Sequence, residues 1–337
     1  MAKFKNQKLK LLYLQKIMFE NTDEDHGLTL QEIIDELEKY DIQAERKSLY
    51  SDIELLAQYG FEITHAKNGR RVEYKLTSGR KFQLAEVKLM IDAIQSTRFI
   101  TKRKTYDLIK KLEKEVSIHE AKQLQRTVFI EKRSKTYNES IYISIDNIYR
   151  AIQKQKQISF NYYEWYVSYG GAEKVFLRAK KDGKPYQVSP WCMIWDDEKY
   201  YLVAYDHLQS KVKHFRIDKI KNVEILDTPQ RGMKAIESFD VSDYVKQTFG
   251  MFGGDTPQEV TLRIDNRLIG VIKDRFGEDF VVMRADEARS DIVVSVYPSQ
   301  QFFGWVFGLG NKVTLISPQS VVEDFKKNIQ KISKNYM

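Results

Sequence analysis

The chain has 337 residues, of which 42% are hydrophobic and 30% are charged, and it carries a net charge of +8. This length predicts two or three domains, and the composition is typical of soluble globular proteins. No apolar run approaches the roughly 18 residues of a membrane span, and the basic first ten residues are not followed by an apolar signal segment. We therefore expect a cytoplasmic protein without a membrane partner.

The positive charge is unevenly distributed. Residues 1–75 contain 12 Lys and Arg against 14 Asp and Glu, a net of −2, whereas residues 76–135 contain 15 against 7, a net of +8. Because the N-terminal segment is acidic overall, the net charge of the chain is no sign that this segment binds DNA. Any DNA contact must come from the particular faces that its basic residues occupy.

Three amphipathic helices are predicted near the N-terminus. The first spans residues 8–20 and is followed by a loop rich in Asn, Asp and Gly. Thr29 and Glu32 then have the spacing of a capping box, in which the hydroxyl and the carboxylate each satisfy a free backbone N–H group. This predicts that a second helix begins there and ends near Tyr40. The third helix spans residues 45–59 and leaves polar side chains opposite its apolar stripe.

A β-hairpin is predicted after the third helix. Two strand-like runs, residues 61–65 and Arg71–Leu76, flank the sequence Asn68-Gly69. Asn-Gly is a strong hairpin signal because both residues tolerate positive φ. Three helices and a hairpin with a basic tip predict a winged helix-turn-helix over residues 1–77. The third helix also resembles the recognition helix of DeoR-type and biotin-repressor-type DNA-binding domains.

Basic and hydroxyl side chains of this domain are candidates for DNA contacts. In this motif the N-terminal part of the recognition helix enters the major groove, where Lys and Arg donate to guanine or phosphate and Ser and Tyr donate to phosphate. Arginines at the hairpin tip would meet the DNA backbone or the minor groove. The candidate residues are Arg46, Lys47, Ser48, Tyr50, Ser51, Arg70 and Arg71. The alternative for any one of them is an ordinary solvated residue. This alternative fits the whole set less well, because the acidic residues of the domain are concentrated in its first loop and on its second helix.

Residues 78–137 are predicted to form a helical connector. Apolar residues recur at helical spacing from Phe82 to Ile94 and from Tyr106 to Val116, with many Lys and Arg residues around them. One interpretation of these cations is a solvated surface. The other is that the connector packs against its copy in a homodimer and adds phosphate contacts, since related regulators dimerise and bind paired half-sites.

One helix followed by five short strands is predicted over residues 138–228. The helix begins at Ser144 and carries an isoleucine stripe. The strands are predicted over residues 158–165, 175–178, 186–194, 200–205 and 213–217. They alternate with turn sequences, as in a small antiparallel barrel.

Three blocks of this segment resemble the WYL domain, a small Sm-like β-barrel that bacteria fuse to winged helix-turn-helix DNA-binding domains. They are Tyr-Gln-Val-Ser-Pro at 186–190, Lys-Tyr-Tyr-Leu-Val-Ala-Tyr-Asp at 199–206 and His-Phe-Arg-Ile-Asp-Lys-Ile at 214–220. Tyr200, Tyr201 and Leu202 stand where the family has Trp-Tyr-Leu. The resemblance implies a ligand-controlled transcriptional regulator.

By the same resemblance the barrel binds a nucleotide or single-stranded nucleic acid. His214 and Arg216 share one face of a strand, where both would donate to a phosphate, and tyrosines suit base stacking. The candidate ligand-binding residues are Tyr201, His214 and Arg216, followed by Tyr162, Ser189 and Tyr205. Alternatively, both donors pair with the carboxylates of Asp206 or Asp218 at the rim of the barrel, and the tyrosines belong to its core.

The rest of the chain is predicted to be a linker, residues 229–256, and an α+β sandwich, residues 257–337. Gly253 and Gly254 are assigned to the linker because they lack the flanking strand and helix of a phosphate-binding loop. Strands and helices alternate after them. This segment resembles the WCX-type extension that accompanies WYL domains, and its aromatic residues at 302–307 are interpreted as core or dimer contacts.

The sequence contains no recognisable catalytic motif. Its five histidines lack metal-ligand spacing and its one cysteine excludes an internal disulfide. It has no Walker loop, no nucleophile elbow and no paired carboxylates of recognisable spacing. We therefore expect neither an enzyme nor a metal or cofactor site, apart from a regulatory nucleotide or oligonucleotide.

The predicted fold is an α+β multidomain chain made of a winged helix-turn-helix, a helical connector, an Sm-like β-barrel and a C-terminal α+β sandwich. The predicted function is a homodimeric, nucleoid-associated transcriptional regulator that binds double-stranded DNA and senses a nucleotide or short single-stranded nucleic acid. The alternative is a single-stranded nucleic-acid-binding interaction module of a defence or DNA-repair system. A nucleotide-processing enzyme is a third, less favoured reading.

Overall fold

The computed structural model describes residues 7–124, 135–136, 138–170, 174–196, 198–232, 241–251 and 256–337. The chain forms two compact units, Met1–Tyr137 and Asn138–Met337.

Residues 7–76 contain three helices and a three-stranded antiparallel sheet. The helices are α1 (Lys10–Asn21), α2 (Leu30–Glu38) and α3 (Arg46–Tyr59), and the strands are β1 (Leu28–Thr29), β2 (Ile63–Asn68) and β3 (Arg71–Leu76), in the order β1-β3-β2. Leucine and isoleucine side chains from all three helices form one core with Tyr74 of β3. The predicted capping box is present, since the Glu32 N–H donates to the Thr29 hydroxyl at 3.3 Å and the Thr29 N–H donates to the Glu32 carboxylate at 2.7 Å.

Three further helices occupy residues 84–124. They are α4 (Leu84–Ser96), α5 (Lys102–Leu112) and α6 (Ile118–Leu124). Their shared core contains Val87, Ile91, Val116 and Leu124. The predicted connector is therefore helical and has a small core of its own.

The described part of residues 138–232 forms a helix and a curled, six-stranded antiparallel sheet, here called the central sheet. Its elements are α7 (Ile141–Gln153), β4 (Lys156–Val167), β5 (Val175–Ala179), β6 (Tyr186–Asp196), β7 (Lys199–Asp206), β8 (Lys211–Arg216) and β9 (Ile220–Pro229). The strand order is β5-β4-β6-β7-β8, and β9 pairs with β4.

Two predictions for this segment were inaccurate. The helix begins at Ile141 rather than Ser144, because the Asn138 side chain accepts from the backbone and hydroxyl of Ser140 and organises the preceding turn. The five predicted strands omit β9, whose pairing with β4 shifts register at two places. These shifts interrupt the period-two burial by which strands are recognised in a sequence.

A short helix, α8 (Val241–Gln247), lies in the segment that was predicted to be a linker. Its seven residues are too few for a recognisable helical period. The predicted linker glycines, Gly253 and Gly254, lie outside the described residues.

Residues 256–337 form a third antiparallel sheet, here called the C-terminal sheet, with helices packed against it. The elements are β10 (Gln258–Asp265), α9 (Ile269–Phe276), β11 (Val281–Arg284), β12 (Arg289–Val296), α10 (Gln300–Gly308), β13 (Val313–Ser317) and α11 (Gln319–Ser333). The described strand order β11-β12-β10-β13 and the element order βαββαβ are those of ferredoxin-like folds. Phe302 and Phe303 are buried in the core, whereas Phe307 is exposed.

Candidate nucleic-acid and ligand sites

The first turns of α3 present a polar surface. Arg46, Lys47, Tyr50 and Ser51 are exposed there, and Leu49 between them is buried. This separation follows from the 3.6-residue period of the helix, which turns the apolar stripe inward. Four of the five candidates on α3 are therefore accessible to a large ligand.

Ser48, the fifth candidate on α3, has an internal contact. Its hydroxyl donates to the Glu45 carbonyl and accepts from the Lys10 ammonium group, both at 3.0 Å. Lys10 also forms an ion pair with Asp52, with 2.6 Å between Nζ and Oδ2. Lys10 thus joins α1 to two successive turns of α3. Sequence reasoning missed this contact because it links residues 38 positions apart.

The hairpin tip and α3 are both tied to neighbouring elements. Arg70 and Arg71 are exposed at the tip, and Arg71 Nη1 lies 3.9 Å from the Glu32 carboxylate of α2. On α3, Tyr50 is hydrogen-bonded to the hydroxyl of Tyr74 on β3. These contacts connect the hairpin to α2 and α3, the helices beside it.

The register of strands β7 and β8 brings four ligand candidates to one face of the central sheet. Tyr201 on β7 pairs with Arg216 on β8, and Val203 pairs with His214. Paired residues of antiparallel strands share a face, as do alternate residues of one strand. Tyr201, Tyr205, His214 and Arg216 therefore lie on the same face, here called the Tyr201 face. Tyr162 packs instead against Phe215, which belongs to the opposite face.

Arg216 forms a bidentate ion pair with Asp218. The distances are 3.1 Å from Nε to Oδ1 and 2.7 Å from Nη2 to Oδ2. Burial lowers the pKa of the guanidinium group, but the Asp218 carboxylate outweighs this and leaves the pKa above its ordinary value. The Tyr162 hydroxyl accepts from the Arg216 backbone N–H at 3.3 Å, and burial raises the pKa of Tyr162 to about 12. The sequence analysis considered Asp206 and Asp218 as carboxylate partners, and Arg216 pairs with Asp218.

Lys219 adds a second cation beside the Arg216–Asp218 pair, and these three residues are here called the Arg216 corner. Sequence reasoning did not identify Lys219. Burial, and then the like charge of Arg216, lower the pKa of the Lys219 ammonium group. The neighbouring Lys180 forms an ion pair with Glu164 at 3.0 Å and so adds no net charge. Arg216 and Lys219 together exceed the single charge of Asp218, which gives this corner an electrostatic preference for an anion.

The Arg216–Asp218 pair gives a testable prediction. We expect Asp218→Asn to lower the free energy of unfolding of the second unit by about 1 kcal/mol, because the substitution removes the carboxylate charge from a half-buried ion pair. Urea unfolding followed by tryptophan fluorescence measures this, since all four tryptophans lie in residues 138–337. The matched control is Asp227→Asn, whose carboxylate is fully exposed. Equal losses in both variants would contradict a specific contribution from the pair.

Ser189 and Tyr205 are enclosed by the chain itself. The buried Ser189 hydroxyl accepts from the Arg231 N–H at 2.8 Å and contacts His207 Nε2 at 3.2 Å. The Tyr205 ring packs against Gly232, where an added Cβ would stand 2.6 Å from the ring. These two candidates therefore lie beneath residues 231–232, away from the Arg216 corner.

His214 contacts an aromatic residue from outside the predicted barrel. Its ring stacks on Tyr244 of α8 with 4.9 Å between centroids and 14° between planes, and its Nδ1 lies 3.4 Å from the Tyr244 hydroxyl. Within the described part of the chain, the buried Nε2 has no hydrogen-bond partner. Burial lowers the pKa of His214 to about 4, so the ring is neutral near pH 7. In this arrangement His214 does not act as a cation.

Metal binding and thiol reactivity were also considered for the residues that the structure describes. No group of three or more His, Cys, Asp or Glu side chains there could hold a metal ion. Burial raises the pKa of the Cys192 thiol to about 11, which keeps it protonated. None of the described helices is long and apolar enough to cross a membrane.

Two protein-family models match the chain. The WYL domain matches residues 144–225, and the WCX domain matches residues 256–333. The protein is therefore a multidomain chain that contains a WYL domain, formed by α7 and most of the central sheet, and a WCX domain, formed by the C-terminal sheet and its helices. The two resemblances inferred from the sequence are confirmed.

The individual proteins that resemble this chain have low sequence identity to it. No curated protein matches the chain. Proteasome accessory factor B/C (PafBC) of Arthrobacter aurescens is 15% identical with a TM-score of 0.28, and the match covers 97% of this chain and 50% of that one. A CRISPR Cas-related protein is 15% identical with a TM-score of 0.36, and the match covers 89% of this chain and 76% of that one. The chain thus spans half the length of the PafBC chain.

Proposed function

We propose that this protein is a DNA-binding transcriptional regulator whose first 77 residues form a winged helix-turn-helix. The observation that carries the proposal is the exposed polar surface at the start of α3. Lys10 of α1 contacts the opposite, inner side of the same helix. Arg70 and Arg71 project from the hairpin of the same unit. In this motif the start of the recognition helix enters the major groove, and basic residues on neighbouring elements contact the DNA backbone.

The proposed regulator is a homodimer that acts in the cytoplasm, in association with the nucleoid. Exposed apolar side chains on the connector support a dimer, since Leu89 of α4 and Tyr106 of α5 are among the more exposed large residues of the first unit. Lys102 and Arg103 are exposed on α5 and would contact phosphates. A two-fold axis through the connector would present two recognition helices to paired half-sites.

In the same proposal, the central sheet is an Sm-like barrel that senses a nucleotide or a short single-stranded nucleic acid. Arg216 and Lys219 supply donors for a phosphate, and Tyr201 supplies an aromatic ring on the same face as Arg216. The proposal includes no catalytic step, no metal and no cofactor other than this regulatory ligand. The ligand changes DNA binding only if it prefers one arrangement of the two DNA-binding domains.

Selection of bound fragments from random duplex DNA tests the regulator. We expect the wild-type protein to enrich a palindromic motif and the Arg46→Ala/Lys47→Ala variant to bind it at least about 30-fold more weakly, because each lost base or phosphate contact costs about 1–3 kcal/mol. The matched control, Lys326→Ala/Lys327→Ala on α11, removes the same charge from exposed positions in the other unit. A missing motif, or one that both variants bind equally, would exclude this mode of DNA binding.

A second candidate function is a single-stranded nucleic-acid-binding module of a defence or DNA-repair assembly. It is favoured by the β4–β5 hairpin, where Trp165 and Tyr169 are 56% and 90% exposed and Arg178 lies 5.1 Å from the centre of the Tyr166 ring. Exposed rings beside cations can stack single-stranded bases. A selection from single-stranded DNA distinguishes this function, because it predicts binding that Trp165→Ala/Tyr169→Ala abolishes and Arg46→Ala/Lys47→Ala preserves.

A further inference from the structure

One short segment of the second unit covers the Tyr201 face. Residues 241–251, here called the cover segment, comprise α8 and the turn that follows it. Tyr244 and Met251 of this segment are 6% and 5% exposed and form one apolar cluster with Tyr201 and Val203. The part of the face on which Tyr201 and His214 lie is therefore occupied by the chain itself.

The cover segment is held by the C-terminal sheet and its helices. Phe249 lies in the core of that domain, and the Gln247 carbonyl accepts from the Tyr297 N–H at 2.9 Å. The Arg275 guanidinium donates to the Thr248 carbonyl and lies 4.1 Å from the centre of the Phe249 ring. Although it precedes the residues that match the WCX domain, the cover segment is anchored to that domain. Displacement of Tyr244 would thus be transmitted to the WCX domain.

The contact between Tyr244 and His214 has the geometry of a bound aromatic ligand. Two nearly parallel rings are in contact, and the Tyr244 hydroxyl lies 3.4 Å from the His214 Nδ1. A planar base that carries hydrogen-bonding groups could make both interactions in place of the tyrosine. The distance is long for a hydrogen bond that involves a hydroxyl, so the tyrosine satisfies the imidazole poorly.

Two features show that the covered arrangement has an energetic cost. The His214 Nε2 is buried and has no hydrogen-bond partner among the described residues. Met251 has a φ of 59°, directly after Gly250 at 58°, and positive φ is unfavourable for a residue with a long side chain. A ligand that paired with Nε2, or a displacement that relaxed Met251, would remove these costs.

We propose that the cover segment is an internal competitor for the ligand of the WYL domain. This inference rests on the proposed ligand-sensing function and specifies how that site is regulated. The base of a nucleotide takes the place of Tyr244 on His214, while its phosphate binds at Arg216 and Lys219. Because the cover segment is anchored to the WCX domain, ligand binding shifts this domain between two arrangements, which supplies the two-state element that a regulator requires.

Binding of a defined probe tests the competition. The probe is a 5′-phosphorylated oligonucleotide of eight thymidines with a 3′ fluorescein, titrated by fluorescence anisotropy with the full-length protein. We expect Tyr244→Ala to bind it about ten-fold more tightly than the wild type, because removal of a competitor raises the fraction of open sites. Tyr149→Ala, which removes an exposed tyrosine from α7, should leave the affinity unchanged.

Hydrogen exchange and the His214 titration provide readouts that do not depend on the affinity of Tyr244→Ala. In the wild type, saturation with the probe should accelerate amide exchange in residues 241–251. The pKa of His214, followed by NMR, should rise from about 4 toward its ordinary value of about 6.5 in Tyr244→Ala, while a chemical-shift dispersion equal to that of the wild type shows that the variant is folded. Tyr244→Phe keeps the stacked ring and serves as the conservative variant, with affinity close to that of the wild type.

The outcomes separate the inference from the function on which it rests. If the wild type binds the probe while exchange in residues 241–251 slows or Tyr244→Ala binds no more tightly, the cover segment is a fixed part of the site and the inference is wrong. If the wild type and Tyr244→Ala both fail to bind, ligand sensing at this face is itself excluded.

Discussion

Replacement of Lys10 by methionine is expected to lower the free energy of unfolding of the first unit by about 3 kcal/mol. Lys10 is largely buried between α1 and α3, where it contacts Asp52 at 2.6 Å and Ser48 at 3.0 Å. Removal of one partner leaves the Asp52 carboxylate poorly solvated and without its countercharge, which costs more than the pair itself contributes. Hydrogen exchange of the α1 and α3 amides in the full-length protein measures the loss.

A double variant separates the charge effect from packing. Lys10→Met/Asp52→Leu replaces both charges by apolar side chains, and we expect it to recover most of the lost stability, as replaced buried pairs commonly do. If the single variant is as stable as the wild type, the ion pair contributes nothing and the apolar core alone holds α3. If the double variant is as unstable as the single one, the loss comes from packing around the lysine stem.

The position of α3 also links this prediction to DNA binding. Ser48 and Asp52 lie one turn apart on the inner side of the helix, and Arg46, Lys47 and Tyr50 lie on its accessible side. A shift of α3 against α1 would therefore move all the exposed donors together. We expect the single variant to weaken binding to every duplex sequence, whereas loss of Arg46 alone should change the preference at particular bases.

Short-range sequence patterns were sufficient to predict most of the helices and strands of the first unit. The capping box of Thr29 and Glu32 joins residues three positions apart, and both of its hydrogen bonds are present. The Asn68-Gly69 turn was identified by the same kind of short-range rule, and Gly69 has a φ of 61°. The Lys10–Asp52 pair could not be identified in this way, because no local pattern shows that the end of a lysine side chain reaches a carboxylate on another helix.

The candidate ligand site shows a similar limit. Period-two alternation correctly placed His214 and Arg216 on one face, and the β7–β8 register places Tyr201 beside them. The surroundings of His214 depend on Tyr244, which belongs to a seven-residue helix in a segment assigned to a linker. Lys219 was overlooked because its relation to Arg216 arises from the turn between β8 and β9. The sequence thus identified the strands of the site better than the segments that cover them.

The WYL and WCX domains are connected by one short segment that packs against both of them. Phe249 and Tyr244 lie five residues apart, yet Phe249 belongs to the core around the C-terminal sheet and Tyr244 to the cluster on the central sheet. Because Tyr244 and Phe249 are so close along the chain, the packing of one domain depends on the packing of the other. The neutral, buried imidazole beneath Tyr244 offers a direct measure of that dependence.

Acidification is expected to destabilise the second unit through His214. The unfolded chain takes up a proton on this residue below about pH 6.5, whereas the folded chain does so only below about pH 4. Between these values the unfolded state binds more protons, so the contribution of His214 to stability is present above pH 6.5 and is lost as the pH falls toward 4. From pH 7 to pH 5 the loss amounts to about 2 kcal/mol.

The His214→Gln variant isolates this contribution, because glutamine occupies a similar volume and does not titrate. His207 and the carboxylates of the second unit titrate in both proteins, so their effects cancel in the comparison. Urea unfolding followed by tryptophan fluorescence at pH 7 and pH 5 should show that the wild type loses about 2 kcal/mol more than His214→Gln. Equal losses would mean that His214 accepts a proton in the folded protein at pH 5. In that case Tyr244 does not shield the imidazole, and the face beneath the cover segment is open to solvent.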